Sequence, residues 1–351
     1  MKITRLYVYP IKALRPMSVQ SAQLQQRGLE NDRRFMLCKV QEDGSLKSMQ
    51  TVYFPECTLC HQEIIGDEIL VTYHKPEPPL IAPTLEQSTT LRVPLKPAVE
   101  GLEPVVIKLY GSTTRAYRMG QPHDGWFTSC LGYETALVYI GDGKRKVLFS
   151  PRSTTKTTGQ NREMNKGWLS SMASYVTGSQ GEQEPADDWL HFNECAPFLI
   201  TTEASLDDVS SRLPEGESMD MMRFRPNVVV DGIDKWDEDW WSELHIGDNK
   251  RKLQVTENCG RCMSINIDYD KGRTADGEAG NVLKKLMADR RVDAGNKWSP
   301  VFGRYAFLVA GDAEDGNATT TTLVANVAVG DEVTVTRRSD ERSVWSWPKQ
   351  S

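Results

Sequence analysis

The sequence lacks the features that define several common classes of protein. It has no apolar run near the roughly 20 residues that cross a bilayer, which argues against an integral membrane segment. Acidic residues outnumber basic ones, and a formal net charge of −6 argues against a nucleic-acid partner. No G-x-G-x-x-G segment marks an NADH site. A local basic patch for a small anion is still compatible with this composition.

Cysteine is also scarce. Seven cysteines in 351 residues, without a signal peptide, argue against a disulfide framework, and most are expected to be buried. The first 29 residues hold five basic residues and no acid, as transit peptides do. The same stretch contains "KITRLYVYPIK", a predicted first strand that a removable peptide would not carry. The sequence therefore favours a cytoplasmic over a mitochondrial location.

What the sequence does contain is a succession of short β-strands. "RRFMLCKVQEDGSLKSMQTV" predicts a hairpin that turns at Asp43-Gly44. "DGWFTSCLG" predicts a short helix anchored by Trp126 and Phe127. "FLITTEASLDDVSSRL" predicts a strand and then a helix, with Ser205 and Asp208 as its capping box. The chain is therefore expected to be mainly β with several helices, an α+β fold.

A polar stretch divides the chain into two parts. Residues 150–188 are rich in Thr, Gly and Gln and predict a long surface loop. We therefore expect an N-terminal β domain over residues 1–100 and a connecting segment, with the short helix and the loop, over residues 101–188. A second domain is expected over residues 189–340, followed by a tail over residues 341–351.

Two C-x-x-C pairs, Cys57 with Cys60 and Cys259 with Cys262, have three possible interpretations. Four cysteines would suit tetrahedral zinc, but the pairs lie about 200 residues apart, whereas such pairs are usually spaced by roughly 15–20. A thioredoxin-like pair needs a helix N-terminus, but "CGRCMSINID" continues with the alternation of a strand. The third interpretation is a single thiolate ligand to a transition metal, which the positive charge of Arg261 would favour. Spacing alone favours none of them.

Three further segments carry basic residues where strands begin or end. "YPIKALRP" places Lys12 after a strand, and "GLENDRRFML" places Arg33 and Arg34 before one. "RFRPNVVV" places Arg223 and Arg225 before a third. Each segment alone is typical of a solvated strand end. Together, on a net acidic chain, they can converge on an anion, because guanidinium groups match phosphate oxygens.

These segments occur in an order that resembles the MOSC proteins, which bind the molybdenum cofactor. The matching stretches are "YPIKALRP", "GLENDRRFML", "APFLITTEASLDDVSSRL", "FRPNVVVDG", "CGRCMSINID" and "FGRYAFLV". They span nearly the whole chain except residues 150–188. The resemblance implies an N-terminal β-barrel-like domain followed by a MOSC β-barrel domain. Within the family, the chain is similar to the amidoxime-reducing members and their bacterial relatives.

The resemblance also implies which residues form the site. In the family the second cysteine of the C-x-R-C segment is the molybdenum ligand, which matches Cys262 and leaves Cys259 as a neighbour. The cofactor-binding positions of the family match Lys12, Arg33, Arg225 and Asn227, and Asn266 is expected to face the cofactor as well. Lysine and arginine suit an anionic cofactor, and an asparagine amide can bond the pterin edge.

The implied activity is the reduction of N-hydroxylated compounds, such as amidoximes and hydroxylamines, to the N–H form and water. The resemblance implies a molybdenum-pterin cofactor for this chemistry, and electrons from a b-type haem cytochrome with its NADH-dependent reductase. Two alternatives remain open. One is a cofactor carrier or sulfur-transfer protein without N-reductive activity, and the other is a structural protein with zinc on four cysteines. Departures from the family pattern at Ala13, Ala196 and residues 265–268 bear on the substrate range.

Overall fold

A computed structural model describes residues 1–148, 189–309 and 324–347 of the chain. Strands dominate these residues, and the mainly β fold with a few helices that the sequence predicts is confirmed. In chain order the strands are β1 (Lys2–Val8), β2 (Ile11–Lys12), β3 (Met17–Val19), β4 (Ser21–Gln25), β5 (Gly28–Leu29), β6 (Phe35–Val40), β7 (Leu46–Ser48), β8 (Cys60–Ile65), β9 (Glu68–Tyr73), β10 (Thr90–Pro94), β11 (Glu103–Leu109), β12 (Ser112–Arg118), β13 (Thr135–Tyr139), β14 (Arg145–Lys146), β15 (Trp189–Leu190), β16 (Phe198–Thr202), β17 (Val228–Asp231), β18 (Trp241–Ile246), β19 (Arg251–Gly260), β20 (Ile267–Asp268), β21 (Arg273–Thr274), β22 (Val301–Leu308), β23 (Ala325–Ala328) and β24 (Val333–Arg338).

The described helices are short. The α-helices are α1 (His123–Leu131), α2 (Glu203–Ser210) and α3 (Val282–Leu286), and the 3-10 helices are Pro55–Leu59, Glu86–Ser88, Met221–Phe224, Asp237–Trp240, Met263–Asn266 and Gly277–Gly280. Within the described ranges, no helix is long and apolar enough to cross a membrane.

The larger sheet has eight strands in the order β24-β18-β19-β22-β16-β17-β1-β3. Strand β22 is buried along its whole length because apolar clusters cover its side chains on both faces. Ala306 and Leu308 belong to the cluster on one face, and Tyr305 and Phe307 to the cluster on the other. The first strand of the chain lies inside this sheet: β1 runs antiparallel to β17, with Ile3 opposite Val230. The N-terminus therefore completes the C-terminal half of the molecule.

The N-terminal half contains a six-stranded sheet, in the order β11-β12-β13-β6-β2 with β7 beside β6, and the three-stranded sheet β10-β9-β8. Strand β13 is antiparallel to β6, with Leu137 opposite Leu37. This pairing corrects the expected boundary at residue 100, because strands β11, β12 and β13, within residues 103–139, belong to the N-terminal sheet and not to a connecting segment. The loop predicted at residues 150–188 lies outside the described residues.

The expected tail is also corrected in part. Trp347 is buried, and its indole N–H donates a hydrogen bond to the Tyr110 carbonyl oxygen at 2.9 Å. The described end of the chain therefore packs against the N-terminal half.

Several local predictions are confirmed. The β6–β7 hairpin, helix α1 and the succession of β16 and α2 all form where the sequence predicts them. Two details were wrong. The N-cap of α2 is Thr202, whose hydroxyl oxygen accepts from the Ser205 amide at 3.2 Å, so the predicted box began three residues too late. The segment after Cys262 forms the 3-10 helix Met263–Asn266 before it reaches strand β20.

Candidate functional site

A cleft between the two halves of the molecule brings most of the predicted site residues together. It consists of two adjoining pockets that share part of their lining. The side chains that line both pockets are Arg33, Glu194, Arg225, Cys262 and Ser264. The first pocket is completed by Lys12, Ala13, Gln50, Thr51, Val52 and Tyr110, and the second by Ala196, Leu199, Phe224, Asn227, Gly260, Arg261 and Tyr305.

Cys262 is set apart from the other cysteines by its exposure. It precedes the 3-10 helix Met263–Asn266, and its Sγ lies 3.2 Å from the Ser264 Oγ. The remaining six cysteines are buried, and Cys259 lies near the end of β19 with 2% of its surface exposed. Because only an accessible thiol can bind a ligand from the cleft, the structure separates the two members of the C-G-R-C segment.

The zinc interpretation finds no support in the described residues. They contain no group of three or more His, Cys, Asp or Glu side chains placed to hold a metal ion. Cys57 and Cys60 belong to the N-terminal apolar core, and burial raises the pKa of both thiols well above the usual value. A buried neutral thiol is a poor metal ligand. The C-x-x-C spacing of this pair is therefore a feature of the core.

Arg33 and Arg225 converge on one side of the cleft. Their guanidinium carbons lie 4.2 and 4.5 Å from the centroid of the Tyr9 ring. Arg33 Nη1 forms an ion pair with Asp32 at 2.5 Å, so part of its charge is balanced. Arg225 Nη1 donates to the Leu14 carbonyl oxygen at 3.1 Å.

Two guanidinium nitrogens at the cleft need an acceptor. Arg225 Nη2 and Arg261 Nε are buried and have no hydrogen-bond partner among the described residues. A buried donor without an acceptor costs about 1–3 kcal/mol, and an anion in the cleft would supply the missing acceptor. The donor set therefore fits an anionic group that is also held by the Cys262 thiolate.

Lys12 adds a third positive group, at the end of β2. Its Nζ lies 5.3 Å from the centroid of the Tyr110 ring, and its side chain is buried. Burial lowers the pKa of Lys12 to about 7, because the charged form loses its hydration. The charge on this lysine therefore changes near neutral pH.

The two predicted asparagines have different positions. Asn227 lines the second pocket, where its Oδ1 accepts from Arg33 Nη1 at 3.3 Å and from the Leu199 amide at 3.2 Å. Asn266 is not among the lining residues. Its Oδ1 accepts from the Leu283 amide at 2.9 Å, so its side chain supports the start of α3. The structure therefore does not bring Asn266 to the cleft.

Glu194 is a lining residue that the sequence analysis missed. Its carboxylate accepts hydrogen bonds from the hydroxyl groups of Tyr110 and Tyr305, both at 3.0 Å. Burial would raise the pKa of Glu194, but the charges of Lys12, Arg261 and Arg33 outweigh it and lower the pKa to about 2. This carboxylate is therefore ionised at neutral pH.

Buried Arg145 fixes the backbone that carries Glu194. Its Nη2 donates to the carbonyl oxygens of Asn193 and Glu194, at 2.5 and 2.6 Å. The sequence signal for Glu194 is slight: an acid in "HFNECAPF", immediately before a buried strand, would need a specific partner.

The fold and this site together define a class: a two-part β protein whose halves enclose a basic cleft with one accessible thiol. Models of two protein families match the chain, the MOSC N-terminal beta barrel domain over residues 1–134 and the MOSC domain over residues 187–334. The chain therefore belongs to the MOSC-domain proteins that carry the N-terminal MOSC β-barrel domain, which confirms the resemblance read from the sequence motifs.

Curated relatives extend along most of the chain. It is 26% identical over 322 residues to mitochondrial amidoxime reducing component 2 of Rattus norvegicus, covering 86% of this chain and 78% of that protein. It is 29% identical over 308 residues to the protein of the same name from Macaca fascicularis, with the same two shares. It is 25% identical over 286 residues to a molybdenum cofactor sulfurase of Oryza sativa subsp. japonica, covering 76% of this chain and 28% of that protein.

Proposed function

We propose that this protein is a molybdenum cofactor-dependent oxidoreductase that reduces N-hydroxylated compounds to the N–H form and water. One observation carries the proposal. The only exposed thiol among the seven cysteines, Cys262, lies in a cleft whose guanidinium nitrogens include Arg225 Nη2, a buried donor without a partner among the described residues. A soft thiolate and a cationic surround together suit a metal bound to an anionic organic group. The names of the amidoxime-reducing relatives support the reaction class.

Each residue of the cleft would have a distinct part in holding the cofactor. Cys262 would provide the thiolate ligand, while Lys12, Arg33 and Arg225 would bind the anionic part of the cofactor and Asn227 would hold Arg33 in place. When bound, the cofactor supplies two-electron redox chemistry and accepts an oxygen atom.

Three further polar residues, Tyr110, Tyr305 and Glu194, determine the charge balance of the cleft. Burial raises the pKa of Tyr110 and Tyr305 well above the usual value, so both hydroxyl groups stay protonated and donate to Glu194. Glu194 then balances part of the positive charge of Lys12 and Arg261.

The proposal includes partners and a location. Electrons would come from a b-type haem cytochrome and its NADH-dependent reductase, as the resemblance to the amidoxime-reducing proteins implies. The protein would act in the cytoplasm on small N-hydroxylated molecules.

Metal and pterin analysis tests the proposal. Wild-type protein from a host that makes the cofactor is expected to contain about one molybdenum per chain, since one thiolate binds one metal centre. Cys262→Ala should lower the molybdenum content about tenfold or more. Met263→Ala changes the exposed neighbour of Cys262 and serves as the matched control with wild-type content. Wild-type protein that contains neither molybdenum nor pterin would contradict the proposal.

The similarity to a molybdenum cofactor sulfurase favours a second candidate, a cofactor carrier or sulfur-transfer protein. Both candidates predict bound cofactor, so the assay must measure turnover. The loaded protein is given an aryl amidoxime together with the cytochrome and its reductase, or with a chemical one-electron donor. Formation of the amidine supports the reductase, whereas cofactor binding without amidine under both conditions supports the carrier.

A further inference from the structure

Cys259 is the buried partner of the exposed thiol, and its surroundings suggest a task. Arg261 lies between the two cysteines in the sequence, yet its Nη1 is 2.8 Å from the Cys259 Sγ. The sequence interpretation, in which Arg261 serves Cys262 directly, is therefore incomplete.

Arg261 also reaches the segment that carries the anion-binding arginine. Its Nη2 donates to the Phe224 carbonyl oxygen at 2.7 Å, and Phe224 immediately precedes Arg225. Arg261 is 7% exposed and Phe224 is fully buried. One guanidinium group therefore connects the end of β19, where Cys262 follows, to the turn where Arg225 begins.

The hydrogen bonds continue to the other wall of the cleft. The Cys259 thiol donates to the Tyr305 hydroxyl at 3.4 Å, and that hydroxyl donates to Glu194 at 3.0 Å. Glu194 accepts at its second oxygen from Tyr110, which lies between β11 and β12 of the N-terminal half. We call the set Glu194, Tyr305, Cys259, Arg261 and Phe224 the Arg261 clamp.

We infer that Cys259 and Arg261 are positioning residues, and that the Arg261 clamp fixes the Cys262 thiol relative to the Arg225 guanidinium. A cofactor bound at both ends needs a set distance between its thiolate ligand and its anion site, because a binding site loses affinity when its groups are misplaced by about 1 Å. The significance of the clamp for catalysis rests on the proposed function, but its geometry belongs to the protein without cofactor.

Alkylation of the protein without cofactor tests this inference. Only Cys262 is exposed, so iodoacetamide and iodoacetate should both modify it first, as peptide mapping can verify. Nearby cations raise the thiolate fraction for both reagents, but only the anionic reagent is also attracted to them. The ratio of the two rates therefore reports how close the thiol is to the positive groups. A variant that is merely less stable changes both rates together and leaves the ratio unchanged.

Cys259→Val removes the acceptor for Arg261 and adds about one methyl group of volume, and we expect it to lower the rate ratio by about threefold or more. Cys259→Ser keeps an acceptor and should stay within about twofold of wild type. Cys38→Val makes the same change at a fully buried position of β6 and should leave the ratio unchanged.

The inference is overturned if Cys259→Val folds and keeps or raises the wild-type ratio. If that variant does not fold, Tyr305→Phe decides the matter, because it removes only the hydroxyl that joins Cys259 to Glu194. A lowered ratio in Tyr305→Phe supports the clamp, and an unchanged ratio overturns it. Because no cofactor is present, either result is independent of whether the loaded protein reduces N-hydroxylated compounds.

Discussion

Three residues at the cleft have backbone conformations that residues other than glycine rarely adopt. Ala13, Arg33 and Arg225 have φ values of 76°, 51° and 56°, in the left-handed region. Each such residue costs about 1–3 kcal/mol, which the surrounding contacts must offset. Here the contacts of both guanidinium groups with the Tyr9 ring contribute to that offset. Two of the three strained residues, Arg33 and Arg225, therefore carry positive charge into the cleft.

Lys12 makes anion binding depend on pH. Its pKa is lowered to about 7 by burial, and an anion favours the charged form. Affinity should therefore be highest below pH 7 and fall as the pH rises above it, by roughly threefold or more between pH 6 and 8. Sulfate is a suitable probe because it does not titrate in this range, and calorimetry of the protein without cofactor measures its affinity.

Three variants distinguish the contribution of Lys12 to sulfate binding from that of the other cleft residues. Lys12→Arg stays charged and should bind sulfate with little pH dependence, whereas Lys12→Met should bind weakly at every pH. Lys108→Met removes an exposed lysine from β11 and should behave as wild type. A Lys12→Met variant that keeps the wild-type pH dependence would show that another group is responsible.

The lowered pKa of Lys12 also makes the stability of the folded protein depend on pH. The unfolded chain holds the proton up to the ordinary lysine pKa of 10.5, while the folded protein releases it near pH 7. The charged lysine therefore destabilises the empty protein fully below pH 7, and this penalty disappears as the pH rises toward 10.5.

At the scale of single elements, helix α2 depends on its N-cap. Thr202 accepts from the Ser205 amide and donates to Glu238 Oε2, both at 3.2 Å. Thr202→Val keeps the shape and loses both bonds, so it should destabilise the protein by about 2 kcal/mol, of which the cap contributes about 1. Thr202→Ser should cost under about 0.5 kcal/mol. Chemical denaturation followed by circular dichroism measures both, and equal stability of the two variants would contradict this role.

Elements with local signals could be predicted from the sequence, and the others could not. The β6–β7 hairpin follows from Asp43-Gly44 and α1 from its apolar anchors, because each forms from neighbouring residues. The cap of α2 was misplaced because Thr202 and Ser205 are both good capping residues, and only tertiary contacts choose between them. The strand expected after Cys262 gave way to a 3-10 helix, because the turn at this position is set by packing against α3 and Met221–Phe224.

At the scale of the whole molecule, pairing across the chain decides the architecture. Strand β1 lies beside β17 and strand β4 beside β23, so the start of the chain is part of the C-terminal half. Residue patterns cannot predict which distant strands pair, because each strand shows the same alternation whichever neighbour it has. For the same reason the sequence could not show that β11, β12 and β13 pair with the N-terminal sheet.

The site shows the same division. Lys12, Arg33 and Arg225 could be predicted to meet because basic side chains at three strand ends suit one anion. Glu194 could not, since its place depends on the distant Arg145. The distinction between Cys259 and Cys262 came from the family resemblance, and the structure adds the physical difference that one is buried and the other exposed.

The interlocked halves predict that the MOSC part does not fold alone. Five side chains from the start of the sequence belong to the core of the larger sheet: Ile3, Leu6, Val8, Leu24 and Leu29. Burial of such a side chain contributes about 1.5–3 kcal/mol, so their loss would remove roughly 7–15 kcal/mol. A domain is typically stable by only about 5–15 kcal/mol.

A fragment of residues 187–351, matching the start of the MOSC family model, should therefore show no cooperative thermal transition and should be digested rapidly by protease. Co-expression with residues 1–148 should restore a protease-resistant complex, because it returns β1, β3 and β4 to their partners. The matched control is the same pair of fragments with Leu6→Asp, which places a charge at a fully buried position of β1 and should prevent assembly. A cooperative transition in the isolated fragment would show that the N-terminal strands are dispensable for the fold of this half.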